Sequence, residues 1–469
     1  MENNNFNLSE NELEALVREG LKYGGSWCDL YFENTTYHDL LLRDSEVSSG
    51  GFNVDYGCGI RVLDGEKTGY AYSETTDFPS LVGAAEAAAS IACGGRAISP
   101  VRICGRPDAP RVYSMDKDWR ESLPSEFIPF LRRLDSRIRA KDSRVIKVIA
   151  MLSYSVSEIM MYNSLGQFCS DTRPLGSISV TAVFKQGEAI EKNSVSKSLR
   201  AGSELLSKET EDFLVQKAVS GVDALFEARR PKGGQMSVVM AAGASGILLH
   251  EAMGHSFEAD FNRKGQSIFS DKMGKRICPE GINIVDDGTI PQNRGSMRFD
   301  DEGVPSQKTY MVRDGILSSY LHDRISAAYY KVPPTGNGRR ESFRYNPIPR
   351  MRATYMENGS DGTLQDLISS VRKGVYVDQF TGGQVKIGEG DFTFYVKSGY
   401  VIENGRLTSP IKDVNIIGNG PQALSDIRAV AGDLKIDNGT WTCGKEQSVA
   451  VSCGIPSVLI GKLTVGGGQ

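Results

Sequence analysis

The sequence predicts an α+β protein of two domains. An α/β layered domain covers residues 1–228. A mostly antiparallel β domain, sandwich- or barrel-like and carrying a metal-binding helix, covers 235–469. Three observations predict this division. The chain has 469 residues, long for a single hydrophobic core. Helical and strand-like patterns mix up to about residue 228, whereas beyond 280 short strands are split by Asp-Gly, Asn-Gly and Gly-Gly turns, as at 287–288, 314–315, 404–405 and 438–439. Between the two regimes, Arg229-Arg230-Pro231-Lys232-Gly233-Gly234 combines charge, proline and glycine, which stop regular elements.

The elements follow in order. Ser9-Glu10-Asn11-Glu12 reads as a capping box, with Leu13, Leu16, Val17 and Leu21 on one helical face and Gly24-Gly25 as the stop. Strands are expected at 28–33 and 40–43, and Asp64-Gly65 joins 59–63 to 68–72 in a hairpin. An alanine-rich helix over 79–93 ends at Gly94-Gly95. A helix near 125–140, strands at 145–153, 158–163 and 177–184, and one long helix over 208–228 complete the first domain. The second opens with a buried strand, 236–240, and a glycine-rich turn into a helix for which Ser245 is the expected N-cap.

Charged residues make up 24% of the chain and hydrophobic ones 40%, an ordinary globular composition. A formal net charge of -4 gives no electrostatic footprint for nucleic acid or an anionic membrane. Residues 1–7 are polar and lack a signal-peptide pattern, and no apolar run approaches the ~18 residues needed to span a bilayer. The expected location is cytoplasmic. The eight cysteines form no Cys-x-x-Cys pair, which fits reduced, buried thiols.

Chemistry concentrates in His250-Glu251-Ala252-Met253-Gly254-His255, which holds two of the chain's four histidines. Neutral imidazoles are zinc ligands, and the intervening glutamate suits a general base. The spacing, however, is i, i+5. On a regular helix such positions lie about 140° apart, too far round for one metal. An i→i+5 turn would bring them into line, and Gly254 is where that deformation is easiest. A third ligand is open at this point between Glu258, Asp260, His322 and a distant cysteine.

Several segments together resemble a known family. They are residues 249–255, Glu258-Ala259-Asp260, Asp300-Asp301-Glu302-Gly303, residues 334–342, Ile417-Gly418-Asn419-Gly420-Pro421 and Thr442-Cys443-Gly444-Lys445-Glu446. In this order they resemble the TldD side of the TldD/PmbA peptidases, long described as modulators of DNA gyrase. The resemblance implies a zinc-dependent peptidase acting on short or unfolded peptides. It implies pairing as a homodimer, or as a heterodimer with a metal-free relative. Carried over, it makes His250, His255 and Cys443 the Zn2+ ligands and Glu251 the base. Arg339 and Arg340 are candidate substrate-binding residues. This chain reads Cys443-Gly444-Lys445-Glu446-Gln447, one glycine short of the family pattern, which makes Cys453 the fallback ligand.

Overall fold

The structure, a computed structural model, describes residues 6–92 and 98–467. Its amino-terminal part is a six-stranded antiparallel sheet in the order β3-β2-β1-β4-β5-β6. These strands are β1 (Trp27–Arg43), β2 (Glu46–Asp64), β3 (Lys67–Ser73), β4 (Val145–Asn163), β5 (Phe168–Gln186) and β6 (Ala189–Leu199). The segments expected at 28–33 and 40–43 are one continuous strand, as are 145–153 and 158–163. Thr35, Thr36 and Tyr37 bridge the first gap, and such β-branched and aromatic residues suit a pleated surface.

Alternate side chains of a strand point to opposite faces. On one face, Leu30, Phe32, Ile60 and Val62 meet Leu13, Leu16 and Val17 of α1 (Glu10–Gly20) and Leu81 and Ala85 of α2 (Phe78–Ile91). Further along that face, Val148, Leu152, Ile178 and Val180 meet α3 (Ile128–Lys141) and α4 (Lys208–Val219) through Leu131, Leu134 and Leu214. The capping box forms as expected: the Ser9 amide donates to Glu12 Oε2 (2.8 Å) and the Glu12 amide to Ser9 Oγ (3.3 Å). Cys93 and Gly94-Gly95 lie outside the described residues. The long helix expected over 208–228 is two helices, α4 and α5 (Val222–Glu227). Gly221 between them takes φ 73°, a left-handed conformation that interrupts the helical ladder.

The opposite face of the sheet carries Tyr31, Ile159, Met161 and Cys169, which pack against Phe299 and Phe343 of the carboxyl-terminal half. Charged residues share this face. Arg61 is fully buried between Asp29 (2.6 Å) and Glu302 (2.7 Å), and Arg173 lies between Asp171 (3.2 Å) and Asp301 (2.5 Å). The contact between the two halves is therefore built from ion pairs as well as apolar packing.

The carboxyl-terminal half contains a closed ring of five strands. Lys373–Lys386 runs parallel to Gly234–Met240, which pairs with Val458–Gly467. That strand pairs with Val414–Asn419, then Asp391–Glu403, which returns to Lys373–Lys386. A second, six-stranded sheet has Ile284–Asp287, Ala353–Met356 and Ser452–Ile455 at its centre. The barrel-like, mostly antiparallel architecture matches the expectation. Its core gathers Val238, Met240, Phe257, Phe392, Phe394 and Ile416. Among the described residues no helix is long and apolar enough to cross a membrane.

Candidate metal centre

The strand Gly234–Met240 leads through Gly243, at φ 100°, into the helical segment bearing the histidines. Ser245 does not cap this segment: it sits inside the first turn, Ala244–Gly246, and Gly243 precedes it without any side-chain cap. Gly246 is needed for packing, since a Cβ there would stand 2.5 Å from the backbone nitrogen of Gly454. The helix thus rests directly on the strand Ser452–Ile455.

Over His250–Gly254 the helix widens, and the His255 amide donates to the carbonyl of His250, an i→i+5 bond. This is the deformation that the spacing demanded. It brings the two imidazoles together, with ring centroids 5.1 Å apart and planes at 83°. Gly254 leaves room where a Cβ would meet the Met351 sulfur at 2.1 Å. Gly254→Ala, normally a helix-favouring change, is therefore expected to destabilise by about 1–3 kcal/mol through overpacking. Thermal melts of the metal-free protein check this, and Met351→Ala in the same chain should restore part of the loss. An unchanged melt would refute the close packing.

Cys443 reaches the same point from the far end of the chain. It lies on the strand Thr442–Lys445, paired with Gln447–Ala450. Glu446 alone makes the turn, at φ 57°, between the paired Lys445 and Gln447. The shortened loop leaves Cys443 in place: its Sγ is 3.2 Å from His255 Nε2. The donor atoms of His250, His255 and Cys443 all lie within 4.8 Å of one another, the only such group of three or more among the described residues. Cys453, on the neighbouring strand Ser452–Ile455, is buried but not part of the group.

Electrostatics favour a thiolate. Burial pushes the Cys443 thiol up, but His250 and His255 outweigh it and hold it down at about 4. Burial likewise disfavours the imidazolium of His255, yet Glu258 and Cys443 push its pKa well above the ordinary value. Glu251, partly exposed, is shifted upward by burial, with His250 and His255 opposing. The Nδ1 of His250 is buried with no hydrogen-bond partner among the described residues. Two imidazoles and a thiolate converging in this way, one with an orphaned nitrogen, fit a metal ion.

The remaining candidates lie elsewhere. Glu258 contacts the other nitrogen of His255, Nδ1, at 3.0 Å, and Asp260 accepts from Lys445 Nζ at 2.7 Å. His322 packs against the rings of Tyr320 and Tyr330, and burial lowers its pKa to about 4. Arg339 and Arg340, the candidate substrate-binding residues, are both buried. Arg339 donates to the carbonyls of Met351 (2.6 Å) and Ala450 (2.8 Å). Arg340 donates to the carbonyl of Asp301 (2.9 Å) and to the Tyr70 hydroxyl (3.2 Å). With both terminal nitrogens of each bonded within the protein, the geometry supports a structural role for the pair. Sequence reasoning missed Arg350, which donates to the carbonyl of Cys443 at 2.6 Å and to that of Gln447 at 2.8 Å. Nothing in the pattern around it distinguishes it from other arginines.

The family model described as the PmbA/TldA metallopeptidase C-terminal domain matches residues 233–467. The chain belongs to the PmbA/TldD metallopeptidase family. Two further models of this family, domain 1 and the central domain, match residues 28–92 and 117–224 of this member. The Haemophilus influenzae protein named metalloprotease TldD homolog is 39% identical to it, over 94% of this chain and 93% of the relative. A Saccharolobus solfataricus relative, named zinc metalloprotease TldD homolog, is 27% identical over 96% and 99%. Among solved structures, a Thermotoga maritima protein titled as a modulator of a DNA gyrase shares the fold with a TM-score of 0.79. That likeness carries 21% identity and covers 98% of this chain and all of the other (100%). TldE from Thermococcus kodakarensis matches at a TM-score of 0.76 and 19% identity, over 97% and 100%.

Proposed function

We propose that this metallopeptidase is zinc-dependent and cleaves short or unfolded peptides, with Glu251 as its general base. The observation that carries the reading is the convergence of His250, His255 and Cys443 within 4.8 Å, beside a partly exposed glutamate. His250, His255 and Cys443 would hold the ion, which supplies Lewis acidity and makes water a nucleophile near neutral pH. Glu251 takes the proton of the attacking water and passes it to the leaving amine. His250, His255 and Cys443 are all buried, at 3%, 6% and 3% exposure, so a folded protein surface cannot reach them. An extended peptide can, and the strand-rich surroundings suit pairing with its main chain.

The alternative of a non-catalytic subunit with a structural zinc requires four protein ligands. Glu258 and Asp260, the acids just downstream of His255, are engaged by His255 and Lys445 and lie outside the donor group. A cysteine-hydrolase reading draws on the 3.2 Å contact of Cys443 with His255. It predicts peptide cleavage that survives chelation and fails on thiol alkylation.

Metal analysis and peptide hydrolysis of the parent and of Cys443→Ala test the proposal. The parent should take up zinc stoichiometrically and lose hydrolysis to a chelator, regaining it on adding zinc. Cys443→Ala should lose stoichiometric zinc and hydrolysis together. Full zinc occupancy in that variant would remove Cys443 from the ligand set.

A further inference from the structure

We propose that Glu258 is a positioning residue that fixes the tautomer of His255 and joins the two segments supplying the donors. The inference rests on the reading of His255 as a metal ligand. His255 presents Nε2 to Cys443 Sγ at 3.2 Å, while its Nδ1 lies 3.0 Å from Glu258 Oε2. An ionised carboxylate accepts and cannot donate, so this contact holds a proton on Nδ1 and leaves Nε2 as the nitrogen that a cation would take. Glu258 is fully buried, at 0% exposure.

Its charge is balanced from the cysteine side. Lys445 lies two residues beyond Cys443 on the same strand, and its Nζ is 3.1 Å from Glu258 Oε2. Arg350 places Nε 3.8 Å from Oε1 and donates through Nη2 to the carbonyl of Cys443 at 2.6 Å. One carboxylate therefore touches a histidine of the widened helix, a lysine of the cysteine hairpin and the arginine that holds the hairpin's carbonyls. These segments are 188 residues apart between His255 and Cys443, so no local chain connection sets their distance. Partners of this kind on metal-bound histidines typically contribute 10–100-fold to metal affinity.

Zinc affinity, measured by chelator competition on the full chain, tests the role without reading turnover. Glu258→Ala should bind zinc about 10–100-fold more weakly than the parent. Glu258→Gln keeps an acceptor for Nδ1–H and should recover much of that loss. If Glu258→Ala does not fold, the nitrogen-15 spectrum of the zinc-loaded parent and of Glu258→Gln decides. Both should show His255 protonated at Nδ1, and protonation at Nε2 would overturn the proposal. Zinc affinities of both variants within twofold of a tightly binding parent would overturn the role of Glu258 alone. A parent that takes up no zinc would overturn the metal reading and this inference with it.

Discussion

Glu251→Ala is expected to keep its zinc and lose peptide hydrolysis, with kcat falling about 10²–10⁴-fold, the usual contribution of a general base. Two observations separate Glu251 from the proposed ligands beside it. It is not among the atoms that converge within 4.8 Å, and it is less buried than His250 or His255. A carboxylate that is neither a ligand nor fully enclosed can meet water and substrate. Its environment also suits proton exchange. Burial raises its pKa, and the neighbouring imidazoles restrain the rise without reversing it. A base drawn upward from the ordinary carboxylate range lies closer to the operating pH, where it accepts a proton more readily. A loss confined to proton transfer should leave KM little changed. The measurement pairs zinc content with steady-state hydrolysis of an unstructured peptide. Loss of zinc would make Glu251 a ligand, and retained turnover would end its role as base.

Much of this arrangement was legible in the sequence, for identifiable reasons. The i, i+5 spacing required a widened turn because helical geometry leaves no other way to bring two such side chains together. The structure contains that turn, with the His255 amide bonded to the carbonyl of His250. The α1 capping box was readable because its residues lie three apart and interact locally. Cys443 was not singled out by its own residues. Eight cysteines look alike until the fold brings one of them 3.2 Å from His255, and only the family resemblance selected it beforehand. The split of the helix over 208–228 was missed because Gly221 inside a helical pattern is compatible with continuation. The partners of Arg339 and Arg340 could not be read either. A Gly-Arg-Arg turn looks exposed in sequence, and here its charges are bonded to carbonyls contributed by distant segments.

The same long-range character makes Arg61→Met the most damaging expected change to stability, a loss of about 3–5 kcal/mol. Arg61 has no exposed side-chain surface and stands between Asp29 of β1 and Glu302 of the carboxyl-terminal half. Removing it leaves two buried carboxylates short of a counter-charge. Asp29 retains Trp27 Nε1 at 2.6 Å and Arg340 at 3.5 Å, whereas Glu302 retains the amide of Arg324 at 2.7 Å. The cost arises from the stranded charges more than from the lost attraction, so neutralising them should help. Adding Asp29→Asn and Glu302→Gln to Arg61→Met is expected to return part of the stability. The pH dependence has a definite sign. Burial pushes the Asp29 carboxyl up, but Arg61 and Arg340 hold it below the ordinary value. Its ionised form therefore stabilises the parent above the unfolded pKa of about 3.9, and that contribution is lost as pH falls through the folded pKa. The gap between parent and variant should be widest near neutrality and narrow in acid, where protonation relieves the variant. Denaturant unfolding of metal-free protein at pH 7 and pH 4 measures both points. The consequence reaches the metal centre, because Arg340 belongs to the same network and the next residue is tied to the cysteine hairpin. The Glu341 amide donates to Gln447 Oε1 at 2.9 Å, and the Ser448 amide donates to Glu341 Oε2 at 2.6 Å. Weaker zinc binding in Arg61→Met, at a pH where the variant is still folded, would show that the ion pairs between the halves also hold Cys443 in register. A variant as stable as the parent at pH 7 would show that Arg340 and Arg324 alone satisfy the two acids.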